Sequence, residues 1–157
     1  MAKKDDIIAK VSAMLPANAV CRDDAYRSGV VFSASVELGK VREVLGCFRD
    51  AGFYLESVTA LDFQETAELV YHLNTYEPKA RMVIRTLVAE GATVQTVSDL
   101  FPTADWQERE IREFFGIQFA GHPDPRNLLL PEDADYYPLK KTFGSVNAYR
   151  RREEIYG

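Results

Sequence analysis

The residues best suited to chemistry in this sequence are concentrated between Trp106 and Asp133. This stretch contains one of the two histidines, His122, and a dense set of charged side chains at Glu108, Arg109, Glu110, Arg112 and Glu113. A carboxylate beside a histidine can exchange protons with a substrate, so one hypothesis is a standalone acid/base enzyme that uses Glu110, Glu113 and His122. Such an enzyme needs a pocket and an oriented second group, and the sequence indicates neither.

The same charges have two structural interpretations, which the sequence leaves open. Glu108 and Arg112 lie four residues apart, as do Arg109 and Glu113, and such pairs stabilise a helix by about 0.2–0.5 kcal/mol each. Alternatively, the acids and Arg109 bind the chain that follows or a partner surface, because arginine can hold a carboxylate with two parallel hydrogen bonds.

The tripeptide Gly121-His122-Pro123 is typical of a turn. Pro123 favours an extended backbone at His122, and Gly121 can take conformations that other residues resist. A histidine in this setting most often makes local hydrogen bonds, although a histidine near neutral pH can also act in catalysis.

Hydrophobic periodicity predicts the elements that position this region. Apolar residues at helical spacing predict helices over 5–15 and 41–48, and alternating residues predict strands over 30–36, 53–62, 69–73 and 82–87. A third helix should begin after Asp105 as its N-cap, with Glu108 completing a capping box, and should end at Gly116.

This order predicts an α+β fold, in which a mostly antiparallel sheet packs against helices and an extended C-terminal arm follows. Three successive strands joined by short turns pair antiparallel, and the helices cover one face of the sheet. We expect an α+β domain over residues 1–118 and a partner-binding arm over 119–157. The arm contains four prolines but also many leucines and tyrosines, so it is too apolar for a linker that contacts nothing.

Composition excludes several classes of function. The chain has 157 residues and a formal charge of −5, which argues against nucleic acid as a partner because phosphate binding needs a cationic surface. No stretch approaches the roughly 18 apolar residues of a membrane span, and no secretory leader is evident. Two separated cysteines predict free thiols and no metal site.

Beyond residue 107 the sequence contains an ordered block of charged, glycine and proline residues. Its members are Glu108, Arg109, Glu110, Glu113, Gly116, Gly121, His122, Pro123, Arg126, Pro131, Glu132, Asp133, Pro138, Leu139 and Lys140. The block resembles the signature of the 30 kDa (C) subunit of respiratory complex I, an NADH-quinone oxidoreductase, and the resemblance extends over roughly residues 28–143.

The resemblance implies a non-catalytic structural subunit of the peripheral arm, which docks on the 49 kDa-type (D) subunit and supports electron transfer to quinone. It implies no cofactor, metal or catalytic residue in this chain, with NADH, FMN, iron–sulfur clusters and quinone held by partner subunits. The block residues would then bind partners, including other peripheral-arm subunits. The chain would lie on the cytoplasmic side of the inner membrane and reach the membrane only through the complex.

Some positions depart from the pattern that the resemblance implies. Asn127 stands where a second arginine is expected, and Ala134 stands where a tryptophan is expected. The equivalent subunit of a membrane-bound energy-converting hydrogenase or formate hydrogenlyase is therefore an alternative, since this subunit type also occurs in those relatives.

Overall fold

The computed structural model describes residues 2–22, 29–63, 65–77 and 79–143. Its three helices are α1 (Ala2–Met14), α2 (Val41–Asp50) and α3 (Ala104–Phe115). Its seven strands are β1 (Val20–Arg22), β2 (Val30–Ser35), β3 (Tyr54–Asp62), β4 (Thr66–Asn74), β5 (Arg81–Ala89), β6 (Thr93–Gln95) and β7 (Gln118–Ala120). The predicted helices and four longer strands are confirmed, and the short strands β1, β6 and β7 were missed.

The main sheet has five strands in the order β1-β2-β5-β4-β3. Strands β3, β4 and β5 follow one another through short turns and pair antiparallel, as expected. The α+β class and the mostly antiparallel sheet are confirmed. The one parallel pair of this sheet, β2 with β5, was not foreseen. Periodicity gives no information about pairing between strands that are distant in sequence.

The core lies between one face of this sheet and helices α1 and α2. Leu69, Tyr71 and Leu73 alternate along β4 and are fully buried. They belong to one apolar cluster with Val11 of α1 and Phe48 of α2. The alternating residues of the strand and the helically spaced residues of the helices therefore pack into a single core.

Helix α3 lies beside the edge strand β3. The register of β3 against β4 shifts between Leu55 and Ser57. The N–H of Val58 donates to Oε1 of Gln107 on α3 at 2.7 Å. This contact uses a backbone donor that an edge strand would otherwise expose, and it fixes α3 against the sheet.

The predicted N-cap of α3 is wrong. The cap position is Thr103, which makes no side-chain capping bond, and Asp105 lies inside the first turn. Glu108 does not complete a capping box because its carboxylate is turned toward the loop that follows β6. The predicted end of the helix is correct, since Gly116 takes the left-handed conformation at φ 76° and its N–H donates to the carbonyl of Arg112.

Candidate functional site: helix α3 and the C-terminal arm

The chain after β7 runs alongside α3, from its first turn to its last. His122 lies against Asp105 in the first turn, and Leu128 lies against Glu113 in the last. Strand β7, paired in parallel with β6, returns the chain to the start of α3 and so sets this direction. We call residues 122–143 the docked arm. The proposed boundary between a domain of 1–118 and an arm of 119–157 stays a prediction, and residues 144–157 lie outside the described residues.

Glu113 holds the middle of the docked arm. Its side chain is buried, and its carboxylate accepts the N–H groups of Leu128 (2.9 Å), Leu129 (3.1 Å) and Leu130 (3.1 Å). Three successive amides around one carboxylate form an anion-binding concavity of the kind that consecutive backbone N–H groups provide. The Glu113 carboxylate therefore binds groups of its own chain.

Arg109 holds the preceding residues by their carbonyl groups. Its Nε donates to the carbonyl of Arg126 and one Nη donates to the carbonyl of Asn127, both at 2.9 Å. Its other Nη lies 3.5 Å from the carboxylate of Asp124. The planar, forked guanidinium fits this role because its donors diverge in fixed directions.

Asn127 connects helix α3 to a later residue of the arm. Its side-chain oxygen accepts a hydrogen bond from Arg112 at 3.2 Å, and its side-chain nitrogen donates to the carbonyl of Pro131 at 2.8 Å. The residue that departs from the expected arginine is therefore part of the contact between α3 and the arm.

The side chain of His122 is enclosed at the start of the arm, with 3% of its surface exposed. Its Nδ1 accepts the N–H of Asp124 at 3.1 Å, and its Nε2 lies 3.1 Å from the carbonyl oxygen of Asp105. A neutral imidazole carries one proton, so acceptance at Nδ1 places that proton on Nε2, which donates to the carbonyl. Both ring nitrogens therefore bind backbone groups, which agrees with the local hydrogen-bonding interpretation.

Glu108 is the most deeply buried charge of this region. Its side chain is fully enclosed, with Oε1 accepting the N–H of Val97 at 2.8 Å and Oε2 accepting the hydroxyl of Thr96 at 2.5 Å. Nε2 of His122 lies 3.9 Å from Oε2. Burial raises the pKa of the Glu108 carboxyl above its ordinary value, although the bonds from Thr96 and Val97 oppose that rise. Glu108 thus ties α3 to the loop after β6.

Gly116 has a second role beyond ending α3. A Cβ at this position would lie 3.0 Å from the ring of Tyr137, so the tyrosine packs directly on the glycine backbone. Nearby, the N–H of Leu139 donates to the carbonyl of Phe114 at 3.1 Å. A glycine is needed here both for the positive φ and for the close approach of the arm.

The end of the docked arm reaches the main sheet. The N–H of Lys141 donates to the carboxylate of Asp62 at 2.6 Å, and Nζ of Lys140 lies 3.4 Å from the carboxylate of Glu90. These contacts join the arm to the ends of β3 and β5.

The remaining block residues are more exposed. Arg126 pairs with Asp124 at 2.7 Å, and this contact lowers the pKa of the Asp124 carboxyl well below its usual range. Leu139 is 54% exposed, and Pro138 is half-buried. The other members of the block are all exposed, and they are Glu110, Gly121, Pro123, Pro131, Glu132 and Asp133.

Two expectations about the charges of α3 have clear outcomes. The pairs Glu108–Arg112 and Arg109–Glu113 do not form among the described residues, because tertiary partners take each of these side chains. The hypothesis that the acids and Arg109 bind the following chain is correct for Glu113 and Arg109. The structure does not unite the residues of the standalone-enzyme hypothesis, since Glu113 binds arm amides, His122 binds backbone groups and Glu110 faces solvent.

Sequence reasoning missed several residues that complete this site. They are Thr96, Asp124 and Asn127, the last of which the sequence marked only as a departure from an expected arginine. Asp124 and Asn127 are residue types that bind nearby backbone and arginine groups, and their position between prolines was the available signal. Thr96 lies far from the block in sequence, and no pattern links the two.

Across residues 2–22, 29–63, 65–77 and 79–143, no helix is long and apolar enough to cross a membrane. Within the same part of the chain, no cluster of three or more histidine, cysteine, aspartate or glutamate residues is arranged to hold a metal ion.

The fold and this site define an α+β domain whose most charged helix holds an extended arm. The sequence profile of the family described as "Respiratory-chain NADH dehydrogenase, 30 Kd subunit" matches residues 34–149. The chain belongs to this family of respiratory-chain subunits.

Individual relatives agree with this assignment. The C subunit of the NADH-quinone oxidoreductase of Rhodopseudomonas palustris (strain TIE-1) is 36% identical over 116 residues, which are 69% of this chain and 57% of that protein. The C/D subunit of the NADH-quinone oxidoreductase of Phocaeicola vulgatus is 37% identical over 105 residues, which are 64% of this chain and 20% of that protein. The chain therefore spans little more than half the length of the first relative and a fifth of the second.

A solved structure shares the fold. A chain in the structure of the membrane-bound sulfane sulfur reductase, an archaeal respiratory membrane complex, superposes with a TM-score of 0.74 at 25% sequence identity. The alignment covers 90% of this chain and 85% of that chain. The described architecture is thus found in an assembled respiratory complex.

Proposed function

We propose that this chain is a non-catalytic structural subunit in the peripheral arm of a complex I-like NADH:quinone oxidoreductase. In this role it docks on the D-type subunit and supports electron transfer to quinone without taking part in the chemistry. The NADH, FMN, iron–sulfur clusters and quinone of such a complex would be bound by partner subunits. The chain would be peripheral, on the cytoplasmic side of the inner membrane, and attached through the complex.

One observation carries the proposal, namely that the charged side chains of α3 bind the chain's own backbone. Arg109 and Glu113 hold the docked arm, and Glu108 holds the loop after β6. Side chains with these partners hold the backbone in place, whereas a general acid or base must be able to reach a substrate proton. The block is therefore best explained as the framework of a surface that a partner recognises.

The names of the relatives support the identity of that partner. The joint designation C/D of the Phocaeicola vulgatus relative indicates that the C and D parts belong to one polypeptide there. A fused chain keeps its two parts at high effective concentration, which favours contact between them. The exposed apolar residues of the arm, including Leu129 at 65% and Leu139 at 54%, are suited to such a contact.

The test is co-expression of the tagged full chain with the D-type subunit of the same organism, followed by purification and mass determination. We expect a stable one-to-one complex and no NADH oxidation by the chain alone. A chain that stays separate from the D-type subunit under mild conditions would refute the docking role. Redox turnover by the isolated chain would refute the non-catalytic role.

A second candidate is the equivalent subunit of another membrane-bound respiratory complex. The observation that favours it is the likeness to a chain of the sulfane sulfur reductase structure. The energy-converting hydrogenase and formate hydrogenlyase alternatives belong to the same class. Purification of the native complex from solubilised membranes distinguishes them, because NADH-oxidising flavoprotein subunits should accompany the first candidate only.

A further inference from the structure

Trp106 and Glu110 face solvent side by side on α3. They are four residues apart, so they are neighbours on one face of the helix. Trp106 is the lone tryptophan of the chain and is 68% exposed, and Glu110 is exposed as well. Tryptophan is enriched among the residues that dominate binding energy at protein interfaces, because it buries a large, rigid surface on contact.

These two side chains line an open groove of about 460 Å³. Pro102 before α3 and Leu128 of the docked arm provide its apolar walls, and Asp105 adds a second carboxylate. No lysine or arginine is among its described lining residues. The groove therefore combines negative charge, an aromatic face and apolar walls.

Glu110 differs from Glu108 and Glu113 on the same helix in having no partner of its own. Within the described ranges, no hydrogen bond or ion pair engages it, whereas Glu108 and Glu113 each accept several hydrogen bonds. The folding contacts described above therefore leave the carboxylate of Glu110 available to an external group.

We infer that this groove is the docking site for an arginine-bearing segment of the D-type partner, an inference that rests on the proposed function. A guanidinium can form two parallel hydrogen bonds with the Glu110 carboxylate and stack on the Trp106 ring. Lysine lacks both the fork and the flat face, so arginine fits this pair better. Apolar residues beside the arginine would pack on Leu128 and Pro102.

The groove also lies where the D-type subunit is expected to contact the chain. Leu128, one of its walls, belongs to the docked arm, and Leu129 beside it is 65% exposed. The groove and the arm thus form one continuous surface. A single partner that covers the arm would cover the groove as well.

The test measures binding of the full chain to the D-type subunit by isothermal titration. Trp106→Ala and Glu110→Lys should each weaken the complex about tenfold or more, since both remove a central contact. Glu110→Gln should weaken it less and reduce its salt dependence. Matched controls are Tyr76→Ala, an exposed aromatic residue at 78%, and Glu37→Lys, whose side chain is 81% exposed, and both should bind as the wild type does.

Two further measurements test whether an arginine of the D-type subunit occupies the groove. The single tryptophan allows labelling with 5-fluorotryptophan, and its one ¹⁹F resonance should shift when the D-type subunit is added. Phenylglyoxal, which modifies arginine, should spare one arginine of the D-type subunit in the wild-type complex and modify it in the Glu110→Gln complex. A resonance unmoved in the complex, no arginine protected by Glu110, or a shift caused by anionic lipid vesicles alone would each overturn the inference.

The outcomes separate the two proposals. If the wild-type chain does not bind the D-type subunit, the proposed function fails. If the wild type binds and both Trp106→Ala and Glu110→Lys bind equally well, only the inference about the groove fails.

Discussion

Both carboxylate oxygens of Glu113 lie 3.1 Å from the backbone nitrogen of Leu129. The flanking amides of Leu128 and Leu130 bind the same carboxylate. A single side chain of α3 thus satisfies three donors of a segment that has no strand or helix of its own. Glu113 can therefore hold an extended arm with an irregular backbone, because buried N–H groups must find acceptors.

Glu113→Ala should release the middle of the docked arm. The substitution leaves three amides without their acceptor, and an unmet buried donor costs about 1–3 kcal/mol. Hydrogen exchange followed by mass spectrometry should show loss of protection at residues 128–130, with β4 and β5 protected as before. Glu110→Ala is the matched control on the same helix, and equal deprotection in both variants would contradict the role of Glu113.

Gly116→Ala should destabilise the fold by about 1–2 kcal/mol, because an L-residue at φ 76° is strained. The new Cβ would also press on the Tyr137 ring at 3.0 Å. Gly46→Ala is the control, since that helical glycine has open space around it and alanine is the better helix former. Urea unfolding should show opposite signs for the two variants.

A double variant separates the two costs at Gly116. Tyr137→Ala removes the ring that the new Cβ meets, so Gly116→Ala should cost less in that background than in the wild type. The destabilisation by Gly116→Ala that remains in the Tyr137→Ala background measures the backbone strain. Equal costs in both backgrounds would show that the ring contact contributes nothing.

Glu108→Gln should change how stability depends on pH. Because burial raises the pKa of Glu108 in the folded state above its ordinary 4.5, the native protein holds this proton more tightly than the unfolded chain does. The Glu108 carboxyl therefore stabilises the folded state fully below pH 4.5, and this stabilisation is lost as pH rises through the raised pKa. The stability of Glu108→Gln relative to the wild type should therefore rise as pH increases above 4.5, the ordinary pKa of the group.

Urea unfolding at a series of pH values measures this difference. His122, whose Nε2 lies 3.9 Å from Oε2, and Asp105 both act on the pKa of the Glu108 carboxyl, so His122→Asn should be measured in parallel. A difference between wild type and Glu108→Gln that does not vary with pH would contradict the prediction. Glu90→Gln, with a side chain 74% exposed, is the control.

Asp99→Asn should weaken the acid dependence of stability. Nη1 of Arg42 donates to Oδ1 of Asp99 at 2.8 Å and Nη2 donates to Oδ2 at 2.6 Å, and this pairing lowers the pKa of Asp99 from 3.8 to about 2. The stabilisation is present above the ordinary value and is lost as pH falls toward the lowered one. Both groups are substantially exposed, so the effect should be small.

Thermal unfolding between about pH 2 and about pH 5 tests this prediction, because that window spans both pKa values. The wild type should lose melting temperature more steeply than Asp99→Asn on acidification. Arg42→Lys should fall between them because lysine keeps the charge without the two parallel bonds. Parallel curves for wild type and Asp99→Asn would contradict it.

Part of the site could be predicted from the sequence because its elements follow local rules. Gly116 ends α3 as expected, and the apolar spacing of Val11, Leu69 and Phe48 places them in the core. The capping box at Asp105 failed because the Glu108 carboxylate binds donors in the loop after β6 instead. Local propensity is a weak prior, and tertiary partners override it where a buried donor needs an acceptor.

The sequence by itself determined the α+β class, the family and the stretch of chain that forms the candidate site, because periodicity and motif order are local properties. Only the tertiary structure decided the partners of the charges on that stretch. Arg109 and Glu113 are equally able to pair with each other on the helix or to bind the arm, and the return of β7 beside β6 brings the arm within their reach. The choice depends on which backbone groups would otherwise be buried without a partner, and that is a property of the whole fold.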